Sequence, residues 1–251
     1  MDEETLKLLT DLHINNHRQG PGGPYAFKRA LDLSGIDTSA DITIADIGSG
    51  TGSATIPLLK QTNASITAVE LLPAFLEKLQ SNAESEGVAD RLQTIEADMA
   101  ELPFEDEQFD AIWSEGAIYN IGFETGVQKW RRFLKPGAVL IASEITWLHS
   151  DIPDELKSYW KQAYPEIDVA SNKLAVLEKN GYSPIGYFTL PPDCWLTEYY
   201  EPIQAGLTAF LKRNGNSKKA KEIAEADKQE YELYKKYKDY YSYGVYIAKK
   251  I

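Results

Sequence analysis

Apolar positions recur with a roughly helical period over Glu3–Arg18, where Leu6, Leu8, Leu9, Leu12 and Ile14 form a stripe. Gly20, Pro21, Gly22, Gly23 and Pro24 interrupt it, since neither residue type sits well inside a helix. A short helix is expected from Tyr25 to Leu33, with Pro24 near its first turn. From Ile42 the period changes. Ile42–Ile47 is a short apolar, β-branched run suited to a strand covered on both faces. Closely spaced glycines follow, then a helix over Thr55–Gln61. Ile66–Glu70 reads as a second strand and Pro73–Glu86 as a helix stopped by Gly87. Leu92–Ala97 and Phe109–Ser114 read as the third and fourth strands. A helix over Glu124–Phe133 runs into a stop signal at Leu134–Gly137, and Ala138–Ser143 reads as the fifth strand. Strands alternating with helices predict parallel pairing with right-handed crossovers.

Beyond Ile145 the alternation loosens. Pro153–Ala163 and Val169–Asn180 read as helices, Tyr182–Leu190 as a sixth strand, Pro191–Asp239 as a largely helical insertion and Tyr241–Ala248 as a last strand. No internal repeat or low-complexity linker divides the chain. Residues 1–251 are therefore read as one domain, with a helical cap over 1–35, a core over 41–150 and further helices and strands over 151–251.

Composition narrows the class. With 43% hydrophobic and 25% charged residues, the chain resembles an ordinary globular protein. No apolar run approaches the roughly 20 residues that cross a bilayer. The acidic Met1–Thr5 segment lacks the basic region of a secretory signal. A lone cysteine, Cys194, cannot form an internal disulfide and suits a reducing compartment, so the cytoplasm is the expected location. The net charge of −12 opposes a polyphosphate partner. Lys212, Arg213, Lys218, Lys219 and Lys221 come nearest to a basic patch, and Glu222, Glu225, Asp227 and Glu230 dilute it. A small molecule is expected as substrate, and nucleic acid is not. No Cys/His cluster has metal-ligand spacing, so no metal is expected.

The chemistry concentrates at Asp46, Gly48, Ser49, Gly50 and Gly52, directly after the first strand. Glycines there let the backbone turn sharply and approach a ligand, and the next helix offers free N–H groups at its start. The plain alternative is an ordinary strand–loop–helix turn. A dinucleotide fingerprint would place its third glycine at Ser53, so the match to that motif is imperfect. Glu70 ends the second strand, where a carboxylate can bind a ribose in either kind of nucleotide site.

Five blocks in order resemble the class I S-adenosylmethionine-dependent methyltransferases: Asp46–Gly52; Ile66–Leu71; Glu96–Phe104; Phe109–Gly116; and Trp130–Gly137. Within that group the closest likeness is to the small-molecule branch containing ubiquinone/menaquinone and sterol C-methyltransferases. The resemblance implies a doubly wound α/β fold, a seven-stranded, mostly parallel sheet of order 3-2-1-4-5-7-6 with strand 7 antiparallel. It also implies S-adenosylmethionine as cofactor and S-adenosylhomocysteine as product. Gly48, Ser49, Gly50 and Gly52 would shape the cofactor bed. Glu70, with Leu71, would hold the ribose, and Asp98 and Met99 the adenine. Asp46 would orient the loop or meet the methionine ammonium through water. Gly20 and Gly22 belong to a segment that resembles a flap closing over the cofactor.

Glu115 and Tyr119 follow the fourth strand, where the donor methyl should face. Glu115 is a candidate base or substrate acceptor, and equally a loop-fixing carboxylate; it is also counted with the cofactor residues. His17, near the flap, is a further candidate base. Tyr119, Trp147, Trp195, Tyr199 and Tyr200 are candidate walls of an acceptor pocket, and core packing is the competing reading of these aromatics. The acceptor is expected to be quinone-like or another aromatic or lipid-like metabolite. Two other readings are a non-catalytic cofactor-binding module and an NAD(P)-dependent oxidoreductase.

Overall fold

A computed structural model describes residues 2–251. Met1, part of the acidic start noted above, lies outside the described residues. Two helices open the chain. In α1 (Glu3–His13) the Asp2 carboxylate caps the free N–H of Thr5 at 3.0 Å. In α2 (Pro24–Ser34) proline occupies the first turn and Gly35 closes the helix in the left-handed region (φ 66°). The central sheet then builds from β1 (Thr43–Ile47), β2 (Ser65–Glu70), β3 (Leu92–Glu96), β4 (Phe109–Ser114) and β5 (Leu134–Trp147). Helices α3 (Thr55–Gln61), α4 (Pro73–Ser85) and α5 (Phe123–Trp130) make crossovers between them. There follow α6 (Asp154–Ala163), the two-residue β6 (Asp168–Val169), α7 (Ala170–Lys179) and β7 (Tyr182–Thr189). The insertion contains a π-helical turn (Leu196–Tyr200), α8 (Glu201–Arg213) and α9 (Lys218–Tyr237), and the last strand is β8 (Tyr241–Lys250).

The sheet order is β3-β2-β1-β4-β5-β8-β7, with β6 a short addition beside β5. With β6 set aside, this is the expected seven-stranded order. The last strand is antiparallel to both neighbours, also as expected. The order reverses at β1, which pairs in parallel with β2 on one side and β4 on the other. Crevices at such reversals, outside the carboxyl ends of the strands, are where this architecture binds ligands.

Each face of the sheet carries its own core. One joins Phe27, Leu31, Leu58 and Trp113 to the aromatic residues of the insertion. The other joins Ile112, Phe123, Val127, Trp130 and Leu177. A third cluster packs Leu8 and Leu12 of α1 against Ile203, Leu207 and Phe210 of α8 and Ala220 and Ala224 of α9.

Several boundaries differ from expectation. The fifth strand is fourteen residues rather than six, because β8 pairs with it from Val139 to Trp147. Leu134–Gly137 forms its first residues, after a 3-10 turn has already ended the preceding helix. The first helix stops at His13, and the residues that follow form a strap over the sheet. Trp195 belongs to the core: its ring stacks on Tyr234 (4.5 Å between centroids, 15° between planes) and its Nε1–H donates to Ser242 Oγ at 2.9 Å. Tyr200 is likewise buried, donating to Glu230 at 2.8 Å. Trp147 packs edge-on against Tyr241. These three aromatics are removed from the acceptor wall to which their residue type had assigned them.

Candidate active site

At the carboxyl end of β1 the chain bends through Gly48 (φ 78°) and Gly52 (φ 97°), backbone angles that side chains rarely tolerate. The bend is also crowded. A Cβ on Gly48 would lie 2.3 Å from the Ala117 side chain, and one on Gly52 would lie 2.3 Å from Leu79. The Gly48 and Ser49 N–H groups donate to the Val69 carbonyl at 2.9 and 3.0 Å, tying the bend to β2. Above it opens a cavity of about 570 Å³, within the size range of small-molecule sites.

This cavity brings together most of the residues expected from sequence. Gly20, Gly48, Ser49, Gly50, Glu70, Leu71, Asp98, Met99, Glu115, Tyr119 and Tyr199 all line it. Glu70 accepts from the Gly50 N–H (3.1 Å) through one oxygen, and from the Leu71 and Leu72 N–H groups (2.8 and 3.1 Å) through the other. The carboxylate is held rigidly at the strand end, and its four lone-pair sites leave room for a ligand hydroxyl. Asp98 Oδ1 accepts from the Ala100 N–H at 2.8 Å, and the Met99 carbonyl accepts from Trp130 Nε1 at 3.1 Å, fixing the next strand end in the same way.

Four expected members stand elsewhere. Asp46 is buried below the bend and accepts from Thr55 Oγ1 at 2.5 Å, so it secures the start of α3 and does not line the cavity. Gly52 packs against Leu79, and Gly22 against the Arg18 guanidinium. His17 is exposed and is not among the lining residues, which removes the reason to treat it as a base.

Glu115 has a definite partner. One oxygen is ion-paired with Arg18, and the other accepts from Trp113 Nε1 at 3.0 Å. Arg18 is only 4% exposed, so this is an interior contact between the strap and the end of β4. Gln19 makes a second tie: its Oε1 accepts from the Thr51 N–H and hydroxyl, both at 2.9 Å. Its Nε2 donates to the His13 and Asn16 carbonyls. A third tie is the Gly22 N–H to the Cys194 carbonyl at 3.2 Å. Arg18, Gln19 and His13 were not singled out as cavity residues by sequence. Their partners lie far along the chain, and no local motif marks them.

Burial sets the charge states. It pushes the Asp46 carboxyl up to about 7, with Glu115 and Glu70 adding to the rise and Thr55 opposing it. Glu144, buried on β5 with Lys173 at 3.2 Å, is also pushed up to about 7, mainly by burial. Burial raises the Cys194 thiol to about 11, which suits a packed thiol and not a nucleophile.

A carboxyl raised on folding favours the folded state most at low pH, below its unfolded value of 3.8 for Asp46. That advantage is lost as pH rises toward 7. For Asp46 alone the loss amounts to at most about 4 kcal/mol. Urea unfolding of the ligand-free protein should therefore show greater stability at pH 5 than at pH 8. Asp46→Asn, which keeps an oxygen for Thr55, should remove part of that slope. An unchanged slope in the variant would contradict the assignment.

The cavity suits an adenosyl sulfonium ligand on two counts. Ser49 Oγ is buried at its wall without a hydrogen-bond partner, and the Gly48 position is one that a side chain would fill. Comparison with known proteins agrees. Residues 44–137 match a family model described as a methyltransferase domain. The chain is 31% identical over 120 residues to the sterol 24-C-methyltransferase ERG6B of Gibberella zeae, covering 47% of this chain and 31% of that protein. It is 29% identical over 129 residues to the ubiquinone/menaquinone biosynthesis C-methyltransferase UbiE of Brucella anthropi, covering 50% and 49%. The chain thus spans no more than about half the length of these two relatives. A crystal structure of a SAM-dependent methyltransferase from Geobacter sulfurreducens, in complex with S-adenosyl-L-homocysteine, superposes with a TM-score of 0.84. That match has 18% identity and covers 96% of this chain and 97% of the other, a likeness of fold. Residues 44–137 thus match a methyltransferase domain, set in the fold and strand order that the superposed structure shares. The family match runs from Ile44 on β1 to Gly137, through the glycine bend and the Glu70, Asp98 and Glu115 strand ends.

Proposed function

We propose that this protein transfers the methyl group of S-adenosylmethionine to a small-molecule acceptor of aromatic or lipid-like character. The observation that carries this reading is the convergence of the glycine bend, Glu70, Asp98 and Met99 on one cavity at the point where the strand order reverses. Bound there, the cofactor supplies a methyl group already activated on sulfur. The protein's part is to bind, align and exclude water. In this reading Glu70 holds the ribose hydroxyls, Asp98 accepts from the adenine amine and Met99 covers the ring. Ser49 Oγ gains the partner it lacks. The strap, fixed by Arg18 and Gln19, closes the mouth and keeps water from the reacting centre. Glu115 maintains that closure through its pair with Arg18. Tyr119, 39% exposed at the cavity wall, faces the acceptor.

The C-methyltransferase names of the two relatives support an apolar acceptor. Among the described residues no helix is long and apolar enough to cross a membrane. The test combines ligand-induced thermal shifts with a screen of metabolite acceptors using isotope-labelled cofactor. Stabilisation by S-adenosylhomocysteine but not by NADH, together with label in a small molecule, is the expected result. Stabilisation by NADH alone would overturn the reading. Cofactor binding without transfer across the screen would favour a non-catalytic module.

A further inference from the structure

The inner wall of the cavity contains a feature that cofactor binding leaves unused. Helix α1 is apolar on two sides. Leu8 and Leu12 pack into the cluster with α8 and α9, whereas Leu6, Leu9 and His13 line the cavity. Positions 6, 9 and 13 are three and four apart, so they fall on one helix face and form a continuous stripe. Across from it, Tyr199 on the π-helical turn lies nearly parallel to the His13 ring, at 6.3 Å and 7°. The His13 carbonyl is held by Gln19 Nε2 at 3.2 Å, which anchors this end of the helix to the strap. His13 Nδ1 is enclosed and has no hydrogen-bond partner, so part of the imidazole's bonding capacity is unspent.

The charge around this wall is one-sided. Among the described residues that line the cavity, Glu70, Asp98 and Glu115 are acidic, and Arg18 is the one lysine or arginine. Arg18 is already paired with Glu115. A phosphate or carboxylate on the acceptor would meet no free lysine or arginine and would have to shed its water against an apolar wall, an unfavourable exchange. Burial keeps the His13 imidazole neutral by lowering it to about 4, so it does not supply the missing positive charge.

We propose that the stripe of Leu6, Leu9 and His13, faced by Tyr199, is the acceptor-binding wall, and that it selects an uncharged, ring-containing acceptor bearing a hydroxyl or amino group that hydrogen-bonds to His13. This rests on the methyl-transfer reading and narrows its substrate class. The leucines provide the apolar contact, the parallel rings favour a flat partner, and the neutral imidazole is the specificity-determining polar group.

The test uses the full chain saturated with S-adenosylhomocysteine and two probes with the same ring, 1-naphthol and 1-naphthyl phosphate, titrated by calorimetry. The expected result is binding of 1-naphthol at least about ten-fold tighter than its phosphate ester, with about ten-fold weakening in His13→Ala. Affinity for S-adenosylhomocysteine should stay within about two-fold in the same variant. Leu9→Trp, which fills the wall while keeping the imidazole in the chain, should abolish naphthol binding and spare S-adenosylhomocysteine. Equal or tighter binding of the phosphate ester, or naphthol binding indifferent to both substitutions, would overturn the proposal. Failure of S-adenosylhomocysteine to bind the unaltered chain would instead overturn the methyl-transfer reading on which it rests.

Discussion

Glu70→Ala is expected to weaken S-adenosylhomocysteine binding by about 100-fold. The figure takes the lower end of two charge-assisted hydrogen bonds to the ribose, each worth about 1.5–3 kcal/mol, with about 1.4 kcal/mol per factor of ten. The loss has a second source. In the ligand-free protein the same carboxylate gathers the Gly50, Leu71 and Leu72 N–H groups, so its removal releases the glycine bend and the turn after β2 together. Glu70→Gln should fall between the two, since one amide oxygen can still accept while the amide nitrogen opposes the N–H groups it faces. Calorimetric titration of the three proteins, with circular dichroism to confirm the fold, measures the effect. An affinity within two-fold of the unaltered protein in Glu70→Ala would remove Glu70 from the cofactor site.

Arg18→Met should free the strap. The substitution preserves most of the side chain's length but leaves Glu115 without its cation, retaining only the bond from Trp113. Breaking a fully buried ion pair by deleting one partner costs about 3–5 kcal/mol. Glu115 is 20% exposed and can rehydrate, so a loss near 2 kcal/mol is expected. In the proposed reading the strap closes over the ligand, so release of S-adenosylhomocysteine should accelerate by at least about ten-fold, since a loss of about 2 kcal/mol of closure exceeds the ~1.4 kcal/mol of one factor of ten. Stopped-flow fluorescence is suited to this, since Trp113 touches the Glu115 carboxylate directly. Adding Glu115→Gln to the Arg18 variant should restore part of the stability without slowing release. Release rates unchanged in Arg18→Met would show that Gln19 and Gly22 hold the strap without the ion pair.

The two halves of the cavity differ in how far sequence alone revealed them. The half proposed to hold the cofactor was legible because each of its candidate residues sits at a strand end. Once β1, β2 and β3 are located, Gly48, Glu70 and Asp98 are forced to the same edge of the sheet, whatever the rest of the chain does. The acceptor half depends on direction rather than location. Tyr199 and Tyr200 are adjacent, yet one faces the cavity and the other turns into the core toward Glu230. Trp195 likewise looks inward to Ser242. An aromatic residue type does not reveal which way it points. Glu115 shows a related limit: its partner Arg18 is 97 positions away, and a carboxylate after β4 reads equally as a base or as a loop-fixing group until that pair is seen. The length of β5 was hidden for the same reason, since its second half is fixed by pairing with β8 about a hundred residues later.

The packing of α1 against α8 and α9 also bears on how the protein is made. Leu8 and Leu12 find their partners in residues 203–224, and Asp11 is bound by Arg213 and Asn214. Helix α1 therefore stays without these neighbours until residues 203–224 have been synthesised. The β1–β4 segment, by contrast, closes through short-range crossovers. Non-local contacts of this kind form late, so the crevice beside β1 can take shape before the helical wall that faces it is in place.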